Sequence, residues 1–546
     1  MKIFKLFPLA CAALMMSACG SDNDIEGGAT NPGGDAQYLA VNIVNVGTTP
    51  TGRATLPDYA EGTTAESEIK NIRFYFFHAD GSAYGLKKAT GGVDNYIEKT
   101  ISTVDMGTAG GTNTVGAITN AILVIEGTTN QAPASVIAVV NPESITPALG
   151  TAQKSLTDLT NNLTGTQFYT IATKENFAMT NSVYVEAGRT VCPSLVAGHI
   201  GTDKTTAEDN PVNIYVERVV AKVGADLSTL TADVDGTGKY GTKVGTYSSK
   251  DIYAVIDGWG VADEHDNAYV EKHITNSWTD AGLGFTTTWT TADYHRSFWE
   301  TSPAFAAGTP TNHTFAEYKA QHNDVLYTLP NTPTAATTNI YNNDFTKFLV
   351  TATLKYKDGT GAWQNAEICK YQGVEYLGID ALKEAIATTF NTYYTYDGSD
   401  YTPIQAGDVT FKTAVAGITV KDYQVIPVLD DSKTYYKKDA SSATGYTALT
   451  TENISTYPAE VRKGGKAYYY IPIKHLGSNN SIAQYGVVRN HWYKVNVNSL
   501  KGFGTPVYDE NKTIDPTMPE DQATYLAAQI HVLQWRVVEQ KVDLGK

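Results

Sequence analysis

Between Lys347 and Tyr356 apolar side chains fall at every second position: Phe348, Val350, Ala352, Leu354 and Tyr356. A helix stripe needs a period near 3.6 residues, so this segment reads as a strand with one face buried. Asp358-Gly359 then turns the chain. Similar strand signals recur at Tyr38–Val46, Ile69–Phe77, Ala121–Ile125, Ser135–Val140, Asn213–Val223, Ala467–Ile473, Tyr493–Val497 and Ile530–Val538. In the first of these Leu39, Val41 and Ile43 share a face, and in the second Ile72, Phe74 and Phe76 do. Ala79-Asp80-Gly81 marks a hairpin after Phe77. Only two patches read as helix, Thr314–His322 and Ala381–Phe390, with Asp380 placed to cap the second. Strands separated by turns, with a few short helices toward the C-terminus, predict an all-β chain of β-sandwiches. At 546 residues the chain is long for one sandwich, and two in tandem are expected, over 54–210 and 211–546. No short repeat suggests a solenoid or propeller.

The N-terminus reads as an export signal. Lys2 and Lys5 precede an apolar stretch from Leu6 to Met16 that is too short to span a bilayer. Met16-Ser17-Ala18-Cys19 follows, with small residues before a cysteine, as in a bacterial lipobox. Residues 1–18 are therefore expected to be removed and Cys19 to take lipid; an ordinary signal peptide with an incidental cysteine is the alternative. Residues Gly20 to Ala36, rich in Gly, Asp and Asn, read as a tether. Of the four cysteines, Cys11 leaves with the signal and Cys19 carries lipid. Cys192 and Cys369 are read as two buried thiols, with a disulfide between them the alternative.

The net charge is −16 with no basic patch, which argues against nucleic-acid binding. Gly236-Thr237-Gly238-Lys239-Tyr240-Gly241 fits the G-x-G-x-x-G pattern. That pattern binds a dinucleotide only between a strand and a helix, and Lys243 to Ile256 reads as turn and strand. Asp233 and Asp235 begin a calcium-like loop but the later ligands are missing. Asp263-Glu264-His265-Asp266 and His273 read as a charged, solvated loop without metal spacing. No G-x-S-x-G elbow occurs. The chain is therefore expected to have no catalytic residues, metal or cofactor. Its many aromatics are read as filling strand faces, with sugar binding the alternative.

Several segments resemble the Bacteroidetes fimbrillin (type V pilin) family, especially its minor-fimbrium shaft subunits. They are Val216-Glu217-Arg218-Val219-Val220-Ala221-Lys222-Val223, Ser135 to Pro142, Phe177-Ala178-Met179-Thr180-Asn181, Tyr294-His295-Arg296-Ser297-Phe298-Trp299, and the tract from Tyr468 through Leu476 to Tyr485–Tyr493. The resemblance implies two transthyretin-like sandwiches. It also implies a precursor held at the outer membrane by lipid and cut by an arginine-specific protease. Arg53, followed by Ala54, matches the cut, which would remove residues 19–53 with the first strand. The C-terminal strand 530–538, with Leu533, Trp535 and Val537 on one face, would then enter the next subunit. The implied partners are copies of the chain, accessory, anchor and tip subunits, and the protease. The implied location is a surface fimbria that supports adhesion. The alternatives are an accessory or tip adhesin and a tethered glycan-binding lipoprotein.

Overall fold

The computed structural model describes residues 37–45, 62–273, 300–332, 344–475, 485–516, 525–533 and 537–539, except 89–90, 102–105, 108–117, 130, 183, 187–188, 192–193 and 450–456. The chain is all-β, as expected, and its described helices are short. None of those helices is long and apolar enough to cross a membrane.

The first lobe is built from β1 (Gln37–Asn45), a one-turn helix α1 (Thr64–Ser67), β2 (Asn71–Phe77), β3 (Tyr96–Thr100), β4 (Ile118–Ile125), β5 (Ser135–Val140), β6 (Met179–Asn181), α2 (Lys204–Glu208) and β7 (Val212–Arg218). Its main sheet runs β3-β2-β5-β6-β7-β1-β4. Strand β5 matches the segment read from the sequence residue for residue: the run is short, rich in β-branched residues and bounded by turn residues, which favours a strand over a buried helix. All its side chains are buried, as are Phe74 to Phe77 on β2. Both join one apolar core with Leu39, Val41, Leu123, Ile214 and Val216. The Asn181 side chain accepts the Ala138 N–H (2.8 Å), so the Met-Thr-Asn segment stitches β6 to β5.

The reading of Asn213–Val223 as one strand is corrected. The chain breaks at Val219-Val220, both buried, and continues as β8 (Ala221–Asp226) in a different sheet. Apolar, β-forming residues run straight through the break, so the sequence carries no turn signal there.

The second lobe adds β9 (Gly241–Tyr247), β10 (Lys250–Ala262), β11 (Val325–Thr328) and β12 (Lys347–Lys357). On β12, Phe348, Val350, Ala352 and Leu354 enter the second core, as their alternation requires. The opposite face is buried too: Leu349 packs with Phe315 and Tyr318. That covering segment was expected to be the helix Thr314–His322, but it is a turn with isolated bridges. The Thr314 N–H and hydroxyl both bond to Glu317 Oε2 (2.8 and 2.9 Å), and Ala320 pairs with Trp259 on β10. Side chain and sheet together take the backbone groups a helix would use. Gly258 permits the approach, since a Cβ there would lie 2.2 Å from the Tyr318 carbonyl oxygen.

Between β12 and the next core strand lies a third lobe with its own core, which the sequence reading did not separate. It holds β13 (Ile368–Tyr371), β14 (Val374–Leu377), α3 (Ile379–Thr389), β15 (Tyr393–Tyr396), β16 (Tyr401–Pro403), β17 (Val409–Lys412), β18 (Gln424–Leu429), β19 (Tyr435–Lys438), β20 (Tyr446–Ala448) and β21 (Ala459–Val461). Helix α3 confirms the expected patch, but its cap is Gly378 and Asp380 sits inside the first turn. An acidic side chain there still favours the positive end of the helix.

The chain then returns to the second lobe with β22 (Lys466–Pro472) and β23 (Trp492–Lys501), and ends in β24 (Tyr525–Leu533) and β25 (Val537–Glu539). The lobe's two sheets run β11-β8-β23-β24-β25 and β9-β10-β12-β22.

Candidate assembly site

Strand β1 is in the interior of its sheet. It pairs antiparallel with β4, from Gln37 opposite Ile125 to Val44 opposite Ile118. On its other side it pairs parallel with β7, from Val41 opposite Val212 to Asn45 opposite Val216. Leu39 and Val41 are fully buried, Val41 directly opposite buried Val212, and Ile214 and Val216 further along β7 are buried as well. Near its start, Tyr38 and Leu39 also pair with Gly201 and Ile200. The chain there turns into α2, capped by Asp203 accepting the Thr206 N–H (2.9 Å). Taking β1 away leaves β4 and β7 each with an unpaired edge and an apolar trough between them.

The other end of the chain is arranged differently. β24 pairs with β23 along its length, from Trp492 opposite Leu533 to Lys501 opposite Tyr525, with a register shift between Val497 and Ser499. The segment expected as one strand over 530–538 is a hairpin: β25 folds back on β24, with Leu533 directly opposite Val537. Trp535 lies outside the described residues, as do Cys19, Arg53 and Ala54.

The two lobes meet at a buried polar junction made largely by the tracts Val216–Val223 and Tyr485–Tyr493. Arg218 donates to the Glu66 carbonyl (2.5 Å), to Asn490 Oδ1 (3.1 Å) and to Ser67 Oγ (3.0 Å). Glu66 pairs with Lys222 (2.7 Å), accepts the Tyr327 hydroxyl, and takes the Thr63 N–H (2.7 Å) in a capping box. Lys222 also sits over the Trp492 ring at 4.3 Å. Burial pushes the Glu66 carboxyl up, but Lys222 and these hydrogen bonds outweigh it and hold it below its ordinary range. Burial lowers the Arg218 guanidinium to about 10, which leaves it charged at neutral pH. Nearby Arg489 is clamped by Glu300 (2.7 Å) and by the carbonyls of Val270 (3.0 Å) and Tyr269 (2.9 Å). The junction residues stand in the sequence as ordinary strand polars, so only the resemblance to a family could have singled them out.

The charged loop is also corrected. Asp263 is fully buried against Lys347 and accepts a hydrogen bond from Asn312 (2.7 Å). Glu264 meets His313 (3.1 Å), and Asp266 accepts the N–H groups of Ala306 (2.9 Å) and Ala307 (2.6 Å). Gly236–Gly241 leads into strand β9, not a helix, so it lacks the setting a dinucleotide needs. Asp235 in that turn is engaged by Lys355 (2.6 Å). Among the described residues no group of three or more His, Cys, Asp or Glu side chains is placed to hold a metal ion. Cys369 is a buried free thiol, pushed up to about 12 by burial; Cys192 lies outside the described residues.

The aromatics of the third lobe pack in two groups. Tyr393 and Tyr435 pack into the third core. Tyr394, Tyr396, Tyr401, Tyr436 and Tyr446 instead pack on one another across β15, β16, β19 and β20, with Tyr401 and Tyr446 stacked at 3.8 Å. Tyr396 is 45% exposed.

Two family models match the chain. Residues 38–218 match the major fimbrial subunit protein (FimA) family, and residues 462–541 match the C-terminal family of major fimbrial subunit protein type IV, fimbrillin. The first match runs from β1 through β7, and the second covers β22 to β25. No curated protein matches the sequence. Solved structures to which the chain is similar include a fimbrilin (fimA) from Porphyromonas gingivalis, at 14% identity over 92% of this chain and 98% of that one, TM-score 0.35. Another is a putative cell adhesion protein from Bacteroides eggerthii, at 11% identity over 94% and 100%, TM-score 0.35. A third is the tip fimbrial protein Mfa3 from Porphyromonas gingivalis with a C-terminal truncation, at 11% identity over 90% and 98%, TM-score 0.31.

Proposed function

We propose, from the premise that this chain is a fimbrillin-family subunit of a cell-surface fimbria, that it is a shaft subunit which polymerises by strand exchange. The supporting observation is the interior position of β1 between β4 and β7. The precursor is held at the outer membrane by lipid on Cys19 and is cut between Arg53 and Ala54. The cut separates β1 from the rest of the chain, and β1 leaves a slot with two open edges. Each apolar side chain that refills it contributes roughly 1.5–3 kcal/mol, and a backbone ladder forms on both sides.

The strand supplied is the C-terminal segment of a neighbouring copy, with Leu533, Trp535 and Val537 as its contacts. Because β24 and β25 form a hairpin on β23, donation begins with that hairpin opening. The chain performs no catalysis in this reading; its partners are copies of itself, other fimbrial subunits and an arginine-specific protease. A second reading, an accessory or tip adhesin, draws support from the tyrosine cluster of the third lobe, where Tyr396 is exposed beside its half-buried neighbours.

The test treats purified precursor with an arginine-specific protease, followed by N-terminal sequencing and gels of unboiled samples. A new N-terminus at Ala54 with a ladder of resistant oligomers is expected, and a chain ending before Ile530 gives none. Clean cleavage with monomers alone transfers the assignment to the accessory reading. Absence of cleavage near Arg53 rejects the maturation scheme.

A further inference from the structure

We propose that Lys347 and Asp263 become joined by an intramolecular amide bond that cross-links β12 to the end of β10 in the second lobe. The reaction is a condensation. The Lys347 Nζ lone pair attacks the Asp263 side-chain carbonyl carbon, a C–N bond forms, and the carboxyl C–O bond breaks. The amine gives up a proton, which leaves with the departing hydroxyl as water. No oxidant or co-reactant is needed.

The geometry points to this bond in several independent ways. Lys347 Nζ and Asp263 Oδ2 are in direct contact, and both side chains are fully excluded from solvent. Ala262 and Lys347 are Cα partners at the end of the β10–β12 ladder, so the two reacting chains are held side by side by the sheet. Asp263 itself has φ +50°, a left-handed conformation that a non-glycine residue adopts rarely. The chain bends there out of the strand, bringing the carboxyl onto the lysine of the neighbouring strand.

Asn312 fixes that arrangement from both ends. Its Oδ1 accepts the Asp263 N–H (2.7 Å) and its Nδ2 donates to Asp263 Oδ1 (2.7 Å). The second carboxyl oxygen, Oδ2, is left facing the amine. The donated hydrogen bond also polarises the carbonyl that the amine attacks, in the manner of an oxyanion donor.

The electrostatics agree with the geometry. Burial pushes the Asp263 carboxyl up to about 6, against the pull of Lys347 and Asn312, and burial likewise pushes the Lys347 ammonium down. Both shifts favour the neutral acid and neutral amine, which are the species that condense. Asp515 adds a weaker charge effect on both groups. The product removes a buried ion pair, an arrangement whose desolvation cost offsets much of its attraction.

The test is an intact mass measurement on the denatured full chain after folding and export, with a digest to locate any branch. The expected result is a mass lower by one water than the sequence requires, and a branched peptide joining the Lys347 and Asp263 segments. Lys347→Met and Asp263→Ala should restore the full mass. A wild-type chain at its full mass, with Lys347 open to amine-reactive reagent once denatured, overturns the proposal and leaves a buried ion pair. The wild-type measurement alone decides, so a variant that fails to fold does not obscure the outcome.

Discussion

The two ends of the described chain meet their sheets in opposite ways. β1 is bonded on both sides, parallel to β7 and antiparallel to β4, with its apolar residues in the first core. β24 is bonded on one side to β23 and on the other only to the three-residue β25, which forms the edge. The strand nearest the start of the chain thus has a ladder on both sides, and β24 has a full ladder on one side only. That asymmetry in pairing can be broken experimentally.

The largest effect belongs to a chain beginning at Ala54. Loss of Leu39 and Val41 alone removes about 3–6 kcal/mol of burial, before either ladder is counted. Hydrogen exchange should show β4 and β7 losing protection while β12 and β22 keep theirs. Equal protection in the two lobes would mean that β1 is dispensable and would undo the comparison.

A smaller effect is expected at the junction between the regions. Glu66→Gln keeps the shape but leaves Lys222 without its carboxylate, at a cost of about 1–3 kcal/mol in urea unfolding. The sign with pH follows from the depressed carboxyl. The stabilisation is fully present above the ordinary carboxylate value of about 4 and is lost as pH falls through the lower folded value. The gap between wild type and variant should therefore close in acid. A constant gap would show that the contribution is steric and not electrostatic.

The smallest effect is expected from a chain ending at Leu533. Removing the β25 edge should change unfolding stability by no more than about 1 kcal/mol. A loss comparable to that of the chain beginning at Ala54 would make both ends equally integral to their lobes.

Much of this asymmetry could not be read in advance. The strands themselves were legible, since β12 alternates as a strand must and β5 is a short β-branched run between turn residues. Which strand lies in the middle of a sheet was not, because β1 and β24 show the same apolar character and differ only in their neighbours. The break at Val219-Val220 was hidden by side chains suited to either sheet. Asp263 looked solvated because its partner Lys347 stands far along the chain, and linear pattern does not report which charges meet. The helix expected at Thr314–His322 failed for a similar reason: the bridge to Trp259 is a tertiary contact. The third lobe has the same Tyr- and Thr-rich composition as its surroundings, so nothing marked its limits. Cys19, Arg53 and Trp535 rest on the sequence and its family resemblance.

The crossing at Val219-Val220 has a mechanical meaning. Two buried residues carry the chain from β7 into β8, with Arg218 and Lys222 anchored on either side of them. There is no slack to pull out between the lobes. Tension on one lobe would therefore pass to the other through a two-residue link with no spare chain to lengthen.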